Sequence, residues 1–108
     1  MTPQEIAEKS SAALDSNDAA SHALGLVVTQ IAPGFATVTM PITPDKLNGH
    51  GICHGGLIFA LADTAFAHAC NSYNQKVVAQ SCSISFLAPG KTDTMPTATA
   101  LNIHPHRP

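Results

Sequence analysis

The stretch from His54 to about Asn71 constrains the fold more than any other part of this chain. Leu57, Ile58, Leu61, Ala65, Phe66, Ala69 and Cys70 recur at helical spacing, which predicts a single helix of about four to five turns. Ala60, Ala62 and Ala67 make most of the remaining circumference small and apolar. Such a helix is expected to be surrounded on nearly all sides. With 108 residues the chain makes one domain at most, with an adequate but not generous core. One carboxylate, Asp63, sits inside the apolar run, and between Met40 and Asn71 the only basic residue besides histidine is Lys46.

The flanking segments supply what could surround the helix. Residues 1–23 read as an N-terminal helical segment: Thr2, Pro3 and Glu5 form a capping-box start, and Asn17 or Asp18 opens a second short helix that Gly25 ends. Leu24–Ile31 and Phe35–Ile42 are β-rich runs separated by Ala32-Pro33-Gly34, a hairpin signal. Thr43–Cys53 reads as a loop. After the helix and a turn at Tyr73–Gln75, Lys76–Leu87 alternates as a strand, with a small, serine-rich second face. Ala88-Pro89-Gly90 turns the chain again, and Thr97–Ile103 is a further strand. Residues 104–108 carry no helix or strand pattern.

Composition narrows the functional classes. Charged residues are only 11% of the chain, so part of its uncharged surface is expected to be covered by a second copy. A formal net charge of −2 with five Lys and Arg argues against nucleic acid as partner. The three cysteines, Cys53, Cys70 and Cys82, show no paired spacing, which fits a reducing compartment. Neither a signal sequence nor a membrane-spanning run is evident, and a cytoplasmic location is the expectation.

The chemistry concentrates in Asn48–Asp63, which reads NGHGICHGGLIFALAD. A helix start presents free N–H groups to an anion, and two adjacent glycines would let a substrate approach them. Gly55 and Gly56 could equally mark a tight entry where a side chain would clash. A carboxylate among apolar residues tends to have a raised pKa and to act as base or nucleophile, and this is the favoured reading of Asp63. Its alternative is a buried carboxylate tied to a loop N–H. His54 could cap the helix or line a site. Asn48 precedes glycine, as turn-forming asparagines do. His50 and His54, with Cys53 and Asp63, could be metal ligands, but His50 and His54 are four apart across a Gly-bearing loop with no second ligand pair to complete a tetrahedral set, so no metal is expected. His68 is expected to pack on the helix, meeting a backbone carbonyl if buried.

This β-β-long helix-β-β order, with HGG opening the helix and Asp63 nine residues after His54, resembles the hotdog-fold thioesterases. The segments Leu47–His50, Cys53–Gly56, Leu61–Ala67, Ala69–Ser72 and Ser85–Gly90 are similar to the phenylacetic-acid-degradation (PaaI-type) acyl-CoA thioesterases. The resemblance covers about Leu24 to Ala100. It implies an α+β fold, an antiparallel sheet wrapped around a central helix, over residues 24–103. It implies hydrolysis of acyl-CoA, preferably aryl-acetyl-CoA, without metal or organic cofactor; the alternatives are a hotdog relative that binds acyl-CoA without hydrolysing it or acts as a dehydratase, and a non-catalytic truncated fragment. Gly55 would donate its N–H to the thioester oxygen, Asp63 would be nucleophile or general base, and Asn48 and His54 would line the site. Gly56, Phe59, Leu61, Thr64 and Phe66 are candidates for substrate contact, with Lys46 and Lys91 near the CoA phosphates at the surface.

The resemblance also implies a homodimer or homotetramer. Gly55 and Asp63 are about 12 Å apart along one helix and differ by about 80° around it, so they cannot touch one carbonyl. An active site shared between two protomers is therefore expected. Two features depart from the family pattern. Ala79 stands where some relatives place a water-orienting serine, a role Thr64 could take. The family continues with two more strands after the fourth, which are expected to be lacking here; in the family they lie between the fourth and third, so two facing strand edges should be left unpaired and the enzyme impaired.

Overall fold

In a computed structural model, the described residues are 1–73, 82–86 and 94–102. Two helices, α1 (Pro3–Ser16) and α2 (Ala19–Leu24), lead into strands β1 (Val27–Ala32) and β2 (Phe35–Thr39). A short 3-10 turn at Pro44–Lys46 precedes the long helix α3 (Gly55–Asn71), and strands β3 (Cys82–Phe86) and β4 (Thr97–Asn102) follow. The expected turn at Ala88-Pro89-Gly90 lies outside the described residues, as do the flanks of the third strand.

Local chemistry accounts for the element ends. Thr2 and Glu5 form the reciprocal capping box of α1, with Pro3 in the first turn. Asp18 caps α2 by accepting from the Ser21 N–H, and Gly25 ends it at φ 77°. Leu24 thus belongs to the helix, and β1 starts three residues later than the hydrophobic pattern suggests. The β1–β2 hairpin turns at Pro33-Gly34 with Ala32 opposite Phe35, and Gly34 takes φ 73°. Ser72, just past α3, accepts from the Gly34 N–H at 2.7 Å and donates to Ala69 O at 2.7 Å. The hairpin tip is thereby fastened to the end of the long helix.

The strands form one antiparallel sheet in the order β1-β2-β4-β3. This corrects the expectation of two facing unpaired edges. β3 lies directly on β4, from Cys82 opposite Asn102 to Phe86 opposite Ala98. Leaving both edges open would strand backbone N–H and C=O groups at a cost of about 1–3 kcal/mol for each buried one, and direct pairing removes it.

α3 packs on β2 and β4. The core joins Ala36, Val38, Met40 and Ile42 with Leu61, Ala65 and Ala69 of α3 and with Ala98 and Ala100 of β4. Alanines on both surfaces let helix and sheet approach closely. The other side of α3 is not covered: Gly55, Gly56, Phe59, Asp63 and Ala67 are exposed. The expectation of a helix enclosed on nearly all sides therefore fails for the single chain, because one sheet covers only one side. No described helix is long and apolar enough to cross a membrane.

Candidate active site at the start of the long helix

The loop before α3 is built to hold its first residues. Leu47 bridges to Cys53, the Asn48 N–H donates to Ile52 O at 2.7 Å, and the His54 N–H donates to Lys46 O at 2.9 Å. Asn48 Oδ1 accepts from the backbone N–H groups of His50, at 2.8 Å, and Ile52, at 3.3 Å. That is the turn-forming role the Asn-Gly pair suggests. It also leaves the side-chain amide nitrogen of Asn48, a donor, as the group open to further contact.

Lys46 corrects a second expectation. It is 7% exposed, and its Nζ donates to Pro41 O at 2.8 Å and Thr43 Oγ1 at 3.3 Å. It braces the loop from inside rather than meeting phosphates at the surface. A lysine stem that crosses apolar ground can end on carbonyls as well as in water, and the sequence does not say which. Burial pushes the Cys53 thiol up, against a weaker opposing pull from Lys46.

His54 is the N-cap residue of α3, but its side chain makes no capping hydrogen bond. Its imidazole is exposed beside the site. The His54 carbonyl accepts from the Leu57 and Ile58 N–H groups, and those of Gly55 and Gly56 have no partner among the described residues. A Cβ at either glycine would meet nothing within 4 Å among the described residues, and neither glycine has positive φ. The reading that these glycines avoid a clash within their own chain is thus excluded. Two N–H groups without a partner among the described residues sit at the positive end of a 17-residue helix, on glycines with open space where a Cβ would stand.

Asp63 lies on the same uncovered side and has no hydrogen bond or ion pair among the described residues. A buried carboxylate tied to a loop N–H is not what the chain contains. Phe59 is 71% exposed and Phe66 is half-buried. Leu61, expected in the acyl pocket, is 0% exposed and belongs to the core. Its azimuth on α3 points it at the sheet, so it supports the site from behind. Thr64 Oγ1 donates back to Ala60 O at 2.8 Å, leaving its lone pairs for any further contact. Lys91 and Ala79 lie outside the described residues. Among the described residues no three His, Cys, Asp or Glu side chains converge as metal ligands would.

Sequence reasoning missed the partner of His68. The ring is 1% exposed, and its Nδ1 is hydrogen-bonded to Ser11 Oγ of α1 at 2.8 Å, where a backbone carbonyl was expected. Both residues are ordinary helix positions, and nothing local links them.

A central helix backed by an antiparallel sheet, opened by HGG and carrying an outward carboxylate, defines a class. The chain belongs to the Thioesterase superfamily, whose family model matches residues 50–104, and its fold is the hotdog fold. Among individual proteins it is 52% identical over 88 residues to the acyl-coenzyme A thioesterase PaaI of Escherichia coli, matching 82% of this chain. The chain spans 63% of the length of that relative. The structure of the E. coli PaaI protein from the phenylacetic acid degradation operon superposes with a TM-score of 0.82 at 47% identity. That match covers 93% of this chain and 72% of the other. The TT0310 protein of Thermus thermophilus matches with a TM-score of 0.69 at 40% identity, over 84% of this chain and 77% of its own.

Proposed function

We propose that this chain hydrolyses acyl-CoA thioesters to free acid and CoA, with aryl-acetyl-CoA as the preferred substrate class. The observation that carries the reading is the pair of N–H groups at Gly55 and Gly56 that no described residue engages, on two glycines with open space where a side chain would stand. The likeness to the E. coli thioesterase supports the reaction type, and its operon supports the aryl-acetyl group. The thioester oxygen accepts from the Gly55 N–H, and the α3 dipole stabilises the negative charge that develops on it. Asp63 then either takes a proton from the attacking water, or attacks the carbonyl carbon to give an anhydride that water cleaves. Both routes break the C–S bond and release CoA thiolate, and both need the carboxylate ionised. Asn48 donates to substrate or water through its amide nitrogen, His54 and Gly56 border the carbonyl, and Phe59 and Phe66 hold the acyl group. Neither metal nor organic cofactor enters this chemistry.

The attacking Asp63 comes from a second copy. Reacting atoms must approach to about 3–3.5 Å, and the spacing of Gly55 and Asp63 on one helix is about 12 Å. The exposed stripe of Gly55, Gly56, Phe59, Asp63 and Ala67 is the surface on which two α3 helices would lie antiparallel. Mixing tests this. Asp63→Asn chains and Gly55→Pro chains should each be inactive with an aryl-acetyl-CoA. After exchange, about a quarter of the sites should recover, since each mixed dimer restores one of its two sites. No recovery despite proven mixing rules out the composite site, and turnover by Asp63→Asn alone within about threefold of the parent rules out its role.

A further inference from the structure

α1 is held to the rest of the chain by small side chains. Its buried residues are the small Ala7, Ser10 and Ser11, with Ile6 and Leu14 only half-buried, so polar contacts carry a substantial share of its docking. Besides Asp15, which meets His22 Nε2 of the adjoining α2 at 3.4 Å, two such contacts leave the helix. Gln4 Nε2 donates to Ile31 O on the edge strand β1 at 2.7 Å, in an exposed setting. Ser11 Oγ and His68 Nδ1 are hydrogen-bonded at 2.8 Å in a buried one, joining α1 to α3. The other ring nitrogen, His68 Nε2, is buried and has no partner among the described residues.

A neutral ring tolerates this arrangement: one nitrogen is paired, and the other, with the proton on Nδ1, is a bare lone pair. A protonated ring does not. It would carry an N–H at Nε2 with no acceptor, and a charge away from water. The carboxylates whose field reaches it are Asp15 on α1 and Asp18 at the cap of α2. Asp18 is already engaged by the backbone and hydroxyl of Ser21, and Asp15 lies 3.4 Å from His22 Nε2. Strands β1, β2 and β4 bring no ionisable side chain, and β3 only Cys82. Asp63 is five residues back on α3, about 140° around the axis, on the exposed side. Burial outweighs the two carboxylates and holds His68 below its ordinary value of 6.5.

We propose that Ser11 and His68 form an acid-sensitive latch: with the ring neutral they fasten α1 to the helix that carries Gly55 and Asp63, and protonation of the ring releases α1. The released state binds the proton more readily than the docked one. Docking is therefore at full strength above pH 6.5 and weakens as pH falls below it. Release also withdraws Gln4 from Ile31 and bares the β1 edge. The latch rests on the contact between the two helices and stands whether or not the thioesterase reading does.

Amide hydrogen exchange on the full chain, resolved to residues 3–16, tests it at about pH 7.5 and about pH 5. Protection of α1 should fall in acid relative to that of α3, and Ser11→Ala should lower it about fivefold already at neutral pH. His68→Asn places an amide where Nδ1 stands, keeps a partner for Ser11 and cannot take the proton. In that variant α1 protection should no longer depend on pH over the interval. Loss of α1 at the same pH as in the parent would overturn the latch. Should the variant not fold, NMR titration of His68 in the parent decides: a pKa at or above 6.5 overturns the proposal too.

Discussion

Substituting Gly55 by proline separates the two properties this residue brings, an N–H and an open approach to it. Proline deletes the N–H while suiting the first helical position, where that group has no intrahelical partner. His54 before it has φ −56° and ψ 135°, the extended backbone that a residue preceding proline adopts. Gly55→Pro should therefore melt within about 1 kcal/mol of the parent while kcat falls by about 10²–10³-fold. A thermal melt beside a steady-state assay checks both halves, and loss of the fold with the activity would make Gly55 structural. At this scale the exposed placement of a residue was readable where an odd residue stands in plain surroundings. Glycines opening a helix and a lone carboxylate within it are such residues. Lys46 and Leu61 were misread because what decides them is the direction of a side chain. A lysine stem can run inward to Pro41 and Thr43, and only the helix azimuth turns Leu61 to the core.

Element boundaries were legible wherever the determinants are local. The Thr2–Glu5 box, the Asp18 cap, the Gly25 stop and the Pro33-Gly34 turn are all written within a few residues of the structure they make. Partners distant in the chain were not legible: β3 on β4, His68 on Ser11, Ser72 on Gly34. The Ser72 contact gives a prediction of its own. Its hydroxyl satisfies the buried Gly34 N–H, and alanine would leave that donor unpaired with no new one to replace it. Ser72→Ala should cost about 1–3 kcal/mol, a fall in Tm of about 4–8 °C for each kcal/mol in a domain of this size. Gly55 and Asp63 are untouched, so activity below the melt should be kept. A variant that melts with the parent would show that the hairpin tip is held by other contacts.

For the molecule as a whole, the uncovered side of α3 matters most. A helix apolar nearly all round asks for cover on two sides, and one chain supplies a sheet on one. Phe59 at 71% exposed and Ala67 about two turns further along are the unmet part of that requirement. The missing cover is what a composite site would bring, so stability should be tied to association. Diluting the protein about a hundredfold should lower its Tm by several degrees, because a bound partner in such excess contributes about 2.7 kcal/mol. Calorimetry across a concentration series, with sedimentation to report the species, is the check. A melt independent of concentration in a chain that sediments as a monomer would remove the second copy from the mechanism.

The seam between α3 and the sheet is made from Ala65 and Ala69 on one surface and Ala36, Ala98 and Ala100 on the other. A methyl group leaves almost nothing to shorten, and in a close-packed interior there is little room to lengthen it. Val38 or Met40 can be exchanged for another aliphatic chain of similar volume, with its neighbours re-adjusting. At the five alanines the permitted alphabet narrows to alanine and the one or two residues nearest it in size. As descendants of this chain diverge, change is therefore channelled to the loops, the outer face of β1 and the exposed side of α1. The distance between helix and sheet is inherited almost unaltered.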